Sequence, residues 1–391
     1  MSRSTSSRVL FMIVSALLVV PLLTGGLVGA RTRADDEDDF YEYLSVFTDV
    51  LSLVRKVYVE RIDGRSLLAG ALDGASDALD PFSLYVPAEE VELYRSAQRV
   101  GRGHSGMEVL KERGVAFVFA VEPGSPADQA GIERGDIVSK LTGKSTRDMP
   151  LWRIRQLLGS APGTRLELEL VRTGEAIQEE LELAAYDPAA PSVETVGDTA
   201  VLRVARFDQQ TPEQVARLLE DAASSRLLVD LRGLSGGDPA VGYQVADLFV
   251  DGELGTLVGR DGDLESFRSQ RPDVWKGGEV GVLIDRGTQG PAEVLTRALE
   301  GLAAATVLGE RSFGHAGRSA QVKLASGALL ELTDAFYTGP GGERIDESIV
   351  PTARIDVIAS DDEEGDPVLE EAIRLLGDAH ARGVEEEKAA A

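Results

Sequence analysis

The chain has 391 residues, which is more than one ordinary hydrophobic core holds, so the sequence predicts two or three domains. Its 40 basic and 66 acidic side chains give a formal net charge of −26, which argues against nucleic-acid binding because that needs a basic face. The chain has no cysteine and three histidines, which excludes disulfides and cysteine nucleophiles. We expect no metal site and no cofactor.

Residues 1–30 have the pattern of an export signal, because two arginines precede a charge-free run over residues 9–30 that ends in small residues at Ala30. The alternative is an uncleaved anchor, since about 20 apolar residues can span a bilayer. Pro21 interrupts the run and favours cleavage. The sequence therefore predicts an exported, periplasmic or cell-envelope protein, either soluble after cleavage near Ala30 or tethered by this segment alone.

An acidic run over residues 31–39 predicts a solvated spacer. Residues 40–97 carry apolar side chains at spacings of three and four, which indicates a helical region. The Asp80-Pro81 pair interrupts this pattern, because proline excludes the helical conformation from the residue before it.

Residues 98–185 alternate short β-type runs with turns, and a linker with two prolines follows. Over residues 193–358, strand-like and helix-like runs alternate, which predicts βαβ units around a largely parallel sheet. Residues 359–391 are acidic, with one short helix predicted near residues 367–376.

The glycine loop at residues 101–106 fits the GxGxxG pattern of dinucleotide sites. However, a polar stretch precedes it, and a strand-like run follows at the place where a helix should open. We therefore interpret it as a turn that feeds a strand.

Residues 122–138 contain the runs EPGSPA, AGI and GDIV, which resemble a PDZ domain. The resemblance implies a sheet edge that takes a C-terminal peptide as an extra strand, with its carboxylate at Ser105, Gly106 and Met107. Glu108 stands where many relatives have glycine, so we expect its charge to repel acidic peptides. The alternative is a PDZ domain that only packs on the core.

Five further motifs follow one another in unbroken order: LDPFSLY at 79–85, VDLR at 229–232 leading into Gly236 and Gly237, VADLF at 245–249, LGERSFG at 308–314, and a run ending IVP at 349–351. Together they resemble the carboxyl-terminal processing peptidases, also called tail-specific proteases. The resemblance implies a multidomain α+β and α/β fold. Its parts are an N-terminal helical region, a β-sandwich-like PDZ domain and an α/β protease-like core with a largely parallel sheet and crotonase-like ββα units.

The same resemblance implies a serine nucleophile and a lysine base 25 positions later, the lysine activated by desolvation. Aligned on Gly287 and Glu293, the nucleophile position holds Gly290. The base position, aligned on the later FG pair, holds His315, and 315 − 290 = 25 keeps the register. Neither member of the dyad is present.

The surroundings of the missing dyad also depart from the family pattern. Pro291 follows the nucleophile position and lacks the N–H that normally helps to bind the oxyanion. Gly236 and Gly237 mark the oxyanion-loop region. The loop after His315 is two residues longer than usual, so we expect Gln321 to be displaced from the family's glutamine position.

These residues predict a pseudoprotease that binds C-terminal tails of envelope proteins or assembles with an active protease relative. The N-terminal helical region implies a homodimer, by resemblance to relatives.

The alternative is an active serine endopeptidase with a rebuilt Ser235/His315 pair, since GLSGG fits G-x-S-x-G after an apolar strand, with Asp285 or Asp238 as orienting group. A simpler interpretation is that Ser235 caps the next helix. The strand direction argues against Thr288 as a replacement nucleophile.

Overall fold

The computed structural model describes residues 43–98, 104–186, 189–204, 206–222, 224–271, 274–355 and 365–390. The predicted leader at 1–30 and spacer at 31–39 lie outside the described residues. Within these ranges no helix combines the length and the apolar composition that crossing a membrane requires. The chain divides into two units, Met1–Ala71 and Leu72–Ala391.

The described residues of the first unit, 43–71, are largely helical, as the sequence predicts. Helix α1 covers residues 43–57, and helix α2, Gly64–Asp77, begins in this unit and ends in the second. Helix α1 exposes many apolar side chains to solvent: Tyr43, Leu44, Val46, Phe47, Val50, Leu53 and Val57.

After the end of helix α2, the second unit contains a short strand that the sequence did not predict. Asp80 Oδ1 accepts hydrogen bonds from the N–H groups of Phe82 and Ser83, which ends the helical pattern at the Asp-Pro turn. Strand β1, Leu84–Val86, follows, and helix α3, Val91–Gln98, restores the predicted helix.

The PDZ domain is an antiparallel sheet with two helices. Its strands are β2 Met107–Glu112, β3 Val115–Val121, β4 Ile137–Leu141, β5 Lys144–Ser145, β6 Arg165–Arg172 and β7 Glu175–Glu182. Its helices are α4 Pro126–Gln129 and α5 Leu151–Leu158. The strand order is β2-β3-β4-β6-β7, so β2 is an edge strand, and β5 pairs with β4. Alternate leucines of β6 are buried, as expected for a strand with one face on the core.

The core contains a six-stranded sheet that is parallel except for its first strand, which confirms the predicted architecture. Its strands are β8 Ser192–Val196, β9 Thr199–Arg203, β10 Arg226–Asp230, β13 Glu279–Ile284, β14 Thr306–Gly309 and β17 Ala353–Arg354, in the order β17-β14-β13-β10-β9-β8. Its helices are α6 Thr211–Asp221, α7 Pro239–Ala246, α8 Pro291–Leu302 and α9 Pro367–Ala390. Strands β10 and β13 are central and buried, which explains their continuous apolar runs.

A second, antiparallel sheet packs in the same unit, and the sequence did not predict it. Its strands are β11 Glu253–Gly259, β12 Gly262–Arg268, β15 Gly317–Lys323 and β16 Leu329–Tyr337, together with β1. Strand β12 is largely exposed, so it lacks the apolar alternation by which a strand is recognised.

Helix α9 differs from the prediction in length. It runs over 24 residues, whereas the sequence predicted a short helix near residues 367–376. Its first part packs on the parallel sheet through Leu369, Ala372 and Leu376. The predicted segment is therefore the part that packs on the sheet, and the helix continues beyond it into an acidic stretch with no apolar periodicity.

Candidate functional site

Gly290 lies at the turn between strand β13 and helix α8, where it is the N-cap of the helix. Its φ of 60° and ψ of −115° fall in the range of positive φ that favours glycine. A Cβ built on Gly290 would meet no atom within 4 Å. The nucleophile position therefore has space for a side chain, but a residue other than glycine there would carry about 1–3 kcal/mol of backbone strain.

One buried carboxylate links Gly290 and His315, the two positions that the sequence analysis aligned with the nucleophile and the base. Glu293 Oε2 accepts hydrogen bonds from the N–H of Gly290 at 3.1 Å and the N–H of His315 at 2.9 Å. Glu293 Oε1 accepts from the N–H of Gly314 and the hydroxyl of Ser312, both at 2.5 Å. We call this carboxylate and its four donors the Glu293 clamp.

The Glu293 side chain is fully buried, and burial raises the pKa of its carboxyl to about 7, although the four donors act in the opposite direction. The clamp fixes the distance between the nucleophile and base positions through backbone N–H groups alone. It therefore does not require a particular side chain at either position.

His315 occupies the base position inside an aromatic environment. Its ring stacks on Phe82 with a centroid distance of 4.1 Å and meets Phe336 edge-on at 5.3 Å. A Cβ at Gly317 would lie 2.6 Å from His315 Nε2, so the glycine makes room for the imidazole. Burial lowers the pKa of His315, while Asp80 and other carboxylates oppose the shift. The imidazole is therefore neutral at pH 7.

The predicted oxyanion-loop region contains two glycines with backbone N–H groups that could act as donors. Gly236 and Gly237 follow β10 with φ values of 80° and 102°, and a Cβ at Gly237 would lie 2.5 Å from the carbonyl oxygen of Phe207. Within the described ranges, neither N–H of these two glycines is paired with an acceptor. Pro291, at the start of helix α8, has no N–H group. The donors at the site therefore come from the Gly236–Gly237 loop and not from position 291.

Ser235 does not form the predicted pair with His315. Its hydroxyl donates to Glu108 Oε2 at 2.8 Å, and in the part of the chain that the structure describes no hydrogen bond joins Ser235 to the His315 ring. The serine is buried, and its hydroxyl proton points to a carboxylate of the PDZ domain and not to the imidazole of His315.

The two aspartates predicted as orienting groups have other roles. Asp285 Oδ1 accepts from the N–H groups of Gly233 and Gly287, both at 2.9 Å, which joins the loops after β10 and β13. Asp238 is the N-cap of α7 and accepts from the N–H of Ala240. The prediction that Ser235 caps this helix is therefore wrong, because Asp238 performs that function.

The structure also shows the surroundings of Thr288 and Gln321. Thr288 is buried and its hydroxyl donates to the carbonyl oxygen of Leu231 at 2.9 Å, so it supports the turn and does not replace the nucleophile. Gln321 lies out on β15, where its amide donates to Glu331 Oε2. A register shift between Arg318 and Ser319 accommodates the longer loop.

The predicted carboxylate-binding residues of the PDZ domain are all buried. Ser105 and Gly106 use their carbonyl oxygens to accept from the N–H groups of Ala127 and Glu122, and Met107 is 2% exposed. Glu108 lies directly after them, with Oε1 3.7 Å from a guanidinium nitrogen of Arg155 on α5 and Oε2 bonded to Ser235. Its charge is therefore partly neutralised.

Three contacts between described residues attach the PDZ domain to the loops of the site. The sequence analysis predicted none of these three pairings. They are the Glu108–Ser235 hydrogen bond, an ion pair between Arg134 and Asp285 at 2.5 Å, and an edge-on contact between Phe119 and Phe313 at 4.7 Å. The residues of each pair are far apart in sequence, so no local pattern reports them.

The Glu293 clamp was also missed, although a signal for it was present. A glutamate three residues after an N-cap is the second half of a capping box. The sequence analysis used Glu293 only to set the register, and the pattern gives no indication that the same carboxylate reaches the 312–315 loop.

An open parallel sheet with a PDZ domain resting on its carboxyl-end loops is the architecture of a PDZ-containing peptidase. Residues 198–355 match the family described as "Peptidase family S41", and residues 117–172 match "PDZ domain". Residues 198–355 therefore belong to peptidase family S41, and the chain as a whole is similar to carboxy-terminal processing proteases.

Two relatives and one solved structure illustrate the similarity. The chain is 27% identical to the carboxy-terminal-processing protease of Bartonella bacilliformis, over 86% of this chain and 80% of the relative. It is 24% identical to the carboxy-terminal processing protease CtpA of Bacillus subtilis, over 85% of this chain and 72% of the relative. The photosystem II D1 C-terminal processing protease has the same fold, with a TM-score of 0.64 at 22% identity, over 85% of this chain and 96% of that one.

Proposed function

We propose that this chain is a catalytically inactive member of the family that binds C-terminal peptide tails of cell-envelope proteins. The observation that carries the proposal is the glycine at position 290, since no hydroxyl is available where the family places its nucleophile. Two neighbouring features support it. His315 is a neutral imidazole stacked on Phe82, and Pro291 has no N–H to offer an oxyanion.

The size of the catalytic loss also favours inactivity. Removing the nucleophile of a serine protease lowers the rate by about 10⁶, and one missing oxyanion donor lowers it by roughly 10²–10³. The Gly236 and Gly237 donors that remain can bind a carbonyl oxygen, but they cannot cleave a bond. The site is suited to holding a peptide that stays intact.

The PDZ domain supports the binding half of the proposal. Its strand β2 is an edge strand, and an edge offers unpaired backbone groups to an incoming peptide. The carboxylate of the tail would bind at Ser105, Gly106 and Met107, which requires the closed loop to open. Breaking the hydrogen bond between Glu108 and Ser235 is the first step of that opening.

Incubating the purified chain with an unstructured protein that ends in an apolar tail tests both halves. We expect the substrate to remain intact by mass spectrometry and the tail peptide to bind in titration calorimetry. The same peptide with an amidated C-terminus is the matched control and should not bind. Cleavage would refute inactivity, and equal binding of both peptides would refute recognition of the carboxylate.

The second candidate is an active endopeptidase that uses Ser235. The observation in its favour is that this serine directly precedes Gly236 and Gly237, whose N–H groups are unpaired in the described ranges. Cleavage that is abolished by Ser235→Ala and by His315→Ala would establish this function. Cleavage that persists in both variants would exclude it.

Two further proposals concern location and assembly. The export pattern over residues 1–30 supports a periplasmic or cell-envelope location, which N-terminal sequencing of the mature protein and cell fractionation would test. The exposed apolar side chains of α1 support self-association or assembly with an active protease relative. Light scattering of the purified chain and of a Phe47→Glu/Val50→Glu variant should separate a dimer from a monomer.

A further inference from the structure

Three arginines lie at the carboxyl ends of three neighbouring strands of the parallel sheet. Arg286 follows β13, Arg311 follows β14, and Arg354 is the last residue of β17. The strand order β17-β14-β13 makes these ends adjacent. Ligands of open parallel sheets bind at this edge, outside the carboxyl ends of the strands.

The three arginines line a cavity of about 390 Å³, whose polar wall also includes Glu310, Ser312 and Ser348. A volume of this size accommodates a small ligand with its first water molecules. The cavity shares Ser312 with the Glu293 clamp, but neither Gly290 nor the PDZ carboxylate loop is among its lining residues, and its three arginines lie outside the site described above.

The charge of this cavity is opposite to that of the chain. Three guanidinium groups and one carboxylate line it, in a protein whose formal net charge is −26. Arg354 has an interaction partner of its own, so the positive charge offered to a ligand comes from Arg286 and Arg311. Arg286 Nε lies 3.3 Å from Glu310 Oε2, but the two side chains are 76% and 43% exposed, and such pairs contribute little in water. Arg311 forms no ion pair with any residue in the described ranges. Guanidinium groups bind the oxygen atoms of planar carboxylates and tetrahedral phosphates.

The wall that carries Arg311 is held rigidly. Ser312 donates its N–H to the carbonyl oxygen of Ile349 at 3.1 Å, and its hydroxyl accepts from the N–H of Ile349 at 2.8 Å. The same hydroxyl donates to Glu293 Oε1. Because the backbone beside Arg311 is fixed by the Glu293 clamp, a ligand of the cavity binds without first ordering this loop.

We propose that this cavity is a binding site for a small oxyanion, either inorganic phosphate or a carboxylate, with Arg311 as the principal ligand and Arg286 as the second. The site is independent of peptide binding at the PDZ domain. Its occupancy stabilises the loop that carries the base position, because that loop forms the wall of the cavity.

Titration calorimetry of the purified chain at low ionic strength tests the proposal, with inorganic phosphate in one arm and succinate in the other. Saturable binding of phosphate alone identifies a phosphate site, and saturable binding of succinate alone identifies a carboxylate site. Arg311→Gln should weaken the binding about tenfold or more, and Arg286→Gln severalfold, since each removes a charge-assisted hydrogen bond.

Arg260→Gln is the matched control, because it removes the same charge from an exposed position in the turn between β11 and β12. It should change the affinity less than twofold. Thermal melting without ligand checks that each variant folds. If the Arg311 variant does not fold, the Arg286 variant still tests the proposal. Absence of saturable binding at millimolar concentrations of both anions, or equal weakening by Arg311→Gln and Arg260→Gln, would overturn the proposal.

Discussion

Two sets of interactions hold the loops of the site: the Glu293 clamp within the core, and the PDZ contact, which is the Glu108–Ser235 hydrogen bond together with the Arg134–Asp285 ion pair. They differ in burial and in the number of hydrogen bonds. The clamp satisfies one fully buried carboxylate with four donors. The PDZ contact depends on Glu108–Ser235 and on Arg134–Asp285, whose arginine is 37% exposed. Four hydrogen bonds to one buried carboxylate are costly to break, whereas the PDZ contact consists of one part-buried hydrogen bond and one partly exposed ion pair. We therefore expect the contact between the PDZ domain and the site loops to break more readily than the Glu293 clamp.

The same difference bears on the proposed inactivity, because the clamp does not depend on the side chains at positions 290 and 315. Gly290 and His315 join the clamp through their backbone N–H groups. Replacement of a serine or lysine at these positions leaves every hydrogen bond of the clamp in place. The glycine also removes the strain that a larger residue would carry at φ 60°. With glycine at position 290, the turn is then more stable than the same turn with a serine would be.

The largest expected effect comes from removing the clamp. Glu293→Ala leaves four buried donors without an acceptor, so we expect the free energy of unfolding to fall by about 3–5 kcal/mol. Urea denaturation measures this change. Glu300→Ala on the same helix removes only a partly exposed ion pair and should cost about 1 kcal/mol or less. Equal effects of the two substitutions would show that the clamp has no special importance.

The pH dependence of stability also tests the contribution of Glu293. Because burial raises the pKa of Glu293 to about 7 in the folded chain, its contribution is complete below its ordinary pKa and is lost as the pH rises through 7. From pH 5 to pH 8, the wild-type chain should lose about 2–3 kcal/mol relative to Glu293→Gln, since one pKa unit corresponds to about 1.4 kcal/mol. The comparison cancels the opposite contribution of His315, whose lowered pKa adds stability with rising pH. Parallel curves would contradict this assignment.

The strain at the nucleophile position gives the next effect. Gly290→Ala should destabilise the chain by about 1–3 kcal/mol, because the added Cβ meets no neighbour and only the positive φ opposes it. Gly70→Ala on helix α2 also places a Cβ in open space, but at a helical position, so it should stabilise by about 0.5–1 kcal/mol. Thermal or urea unfolding distinguishes the two signs, and a neutral Gly290→Ala would refute the strain.

The smallest effect is expected at the PDZ contact. Glu108→Gln removes the charge that accepts from Ser235, and we expect a loss of about 1 kcal/mol or less together with faster hydrogen exchange around residues 233–237. Glu112→Gln, at the exposed end of the same strand, is the control and should leave exchange unchanged. If hydrogen exchange in residues 233–237 is unaffected by Glu108→Gln, the Glu108–Ser235 hydrogen bond does not hold the PDZ domain against this loop.

Much of the fold follows from the sequence because its elements have clear periods. The apolar runs of β10 and β13 predicted the parallel sheet, and the GSPA and GD motifs predicted the PDZ domain. Strand β12 and the extension of α9 were missed because exposed segments carry no apolar pattern. At the site, motif spacing identified Gly290 and His315. The partners of Ser235 and Glu293 could not be predicted, because each lies on another element brought close only by folding.

Labelling with a fluorophosphonate probe tests the central proposal most directly, since the probe reacts only with an activated serine. Intact-protein mass spectrometry of the wild-type chain should show no adduct after prolonged incubation, because position 290 has no hydroxyl and Ser235 donates to Glu108. Stoichiometric labelling of the wild-type chain, lost in Ser235→Ala, would contradict the account and restore a hydrolytic function.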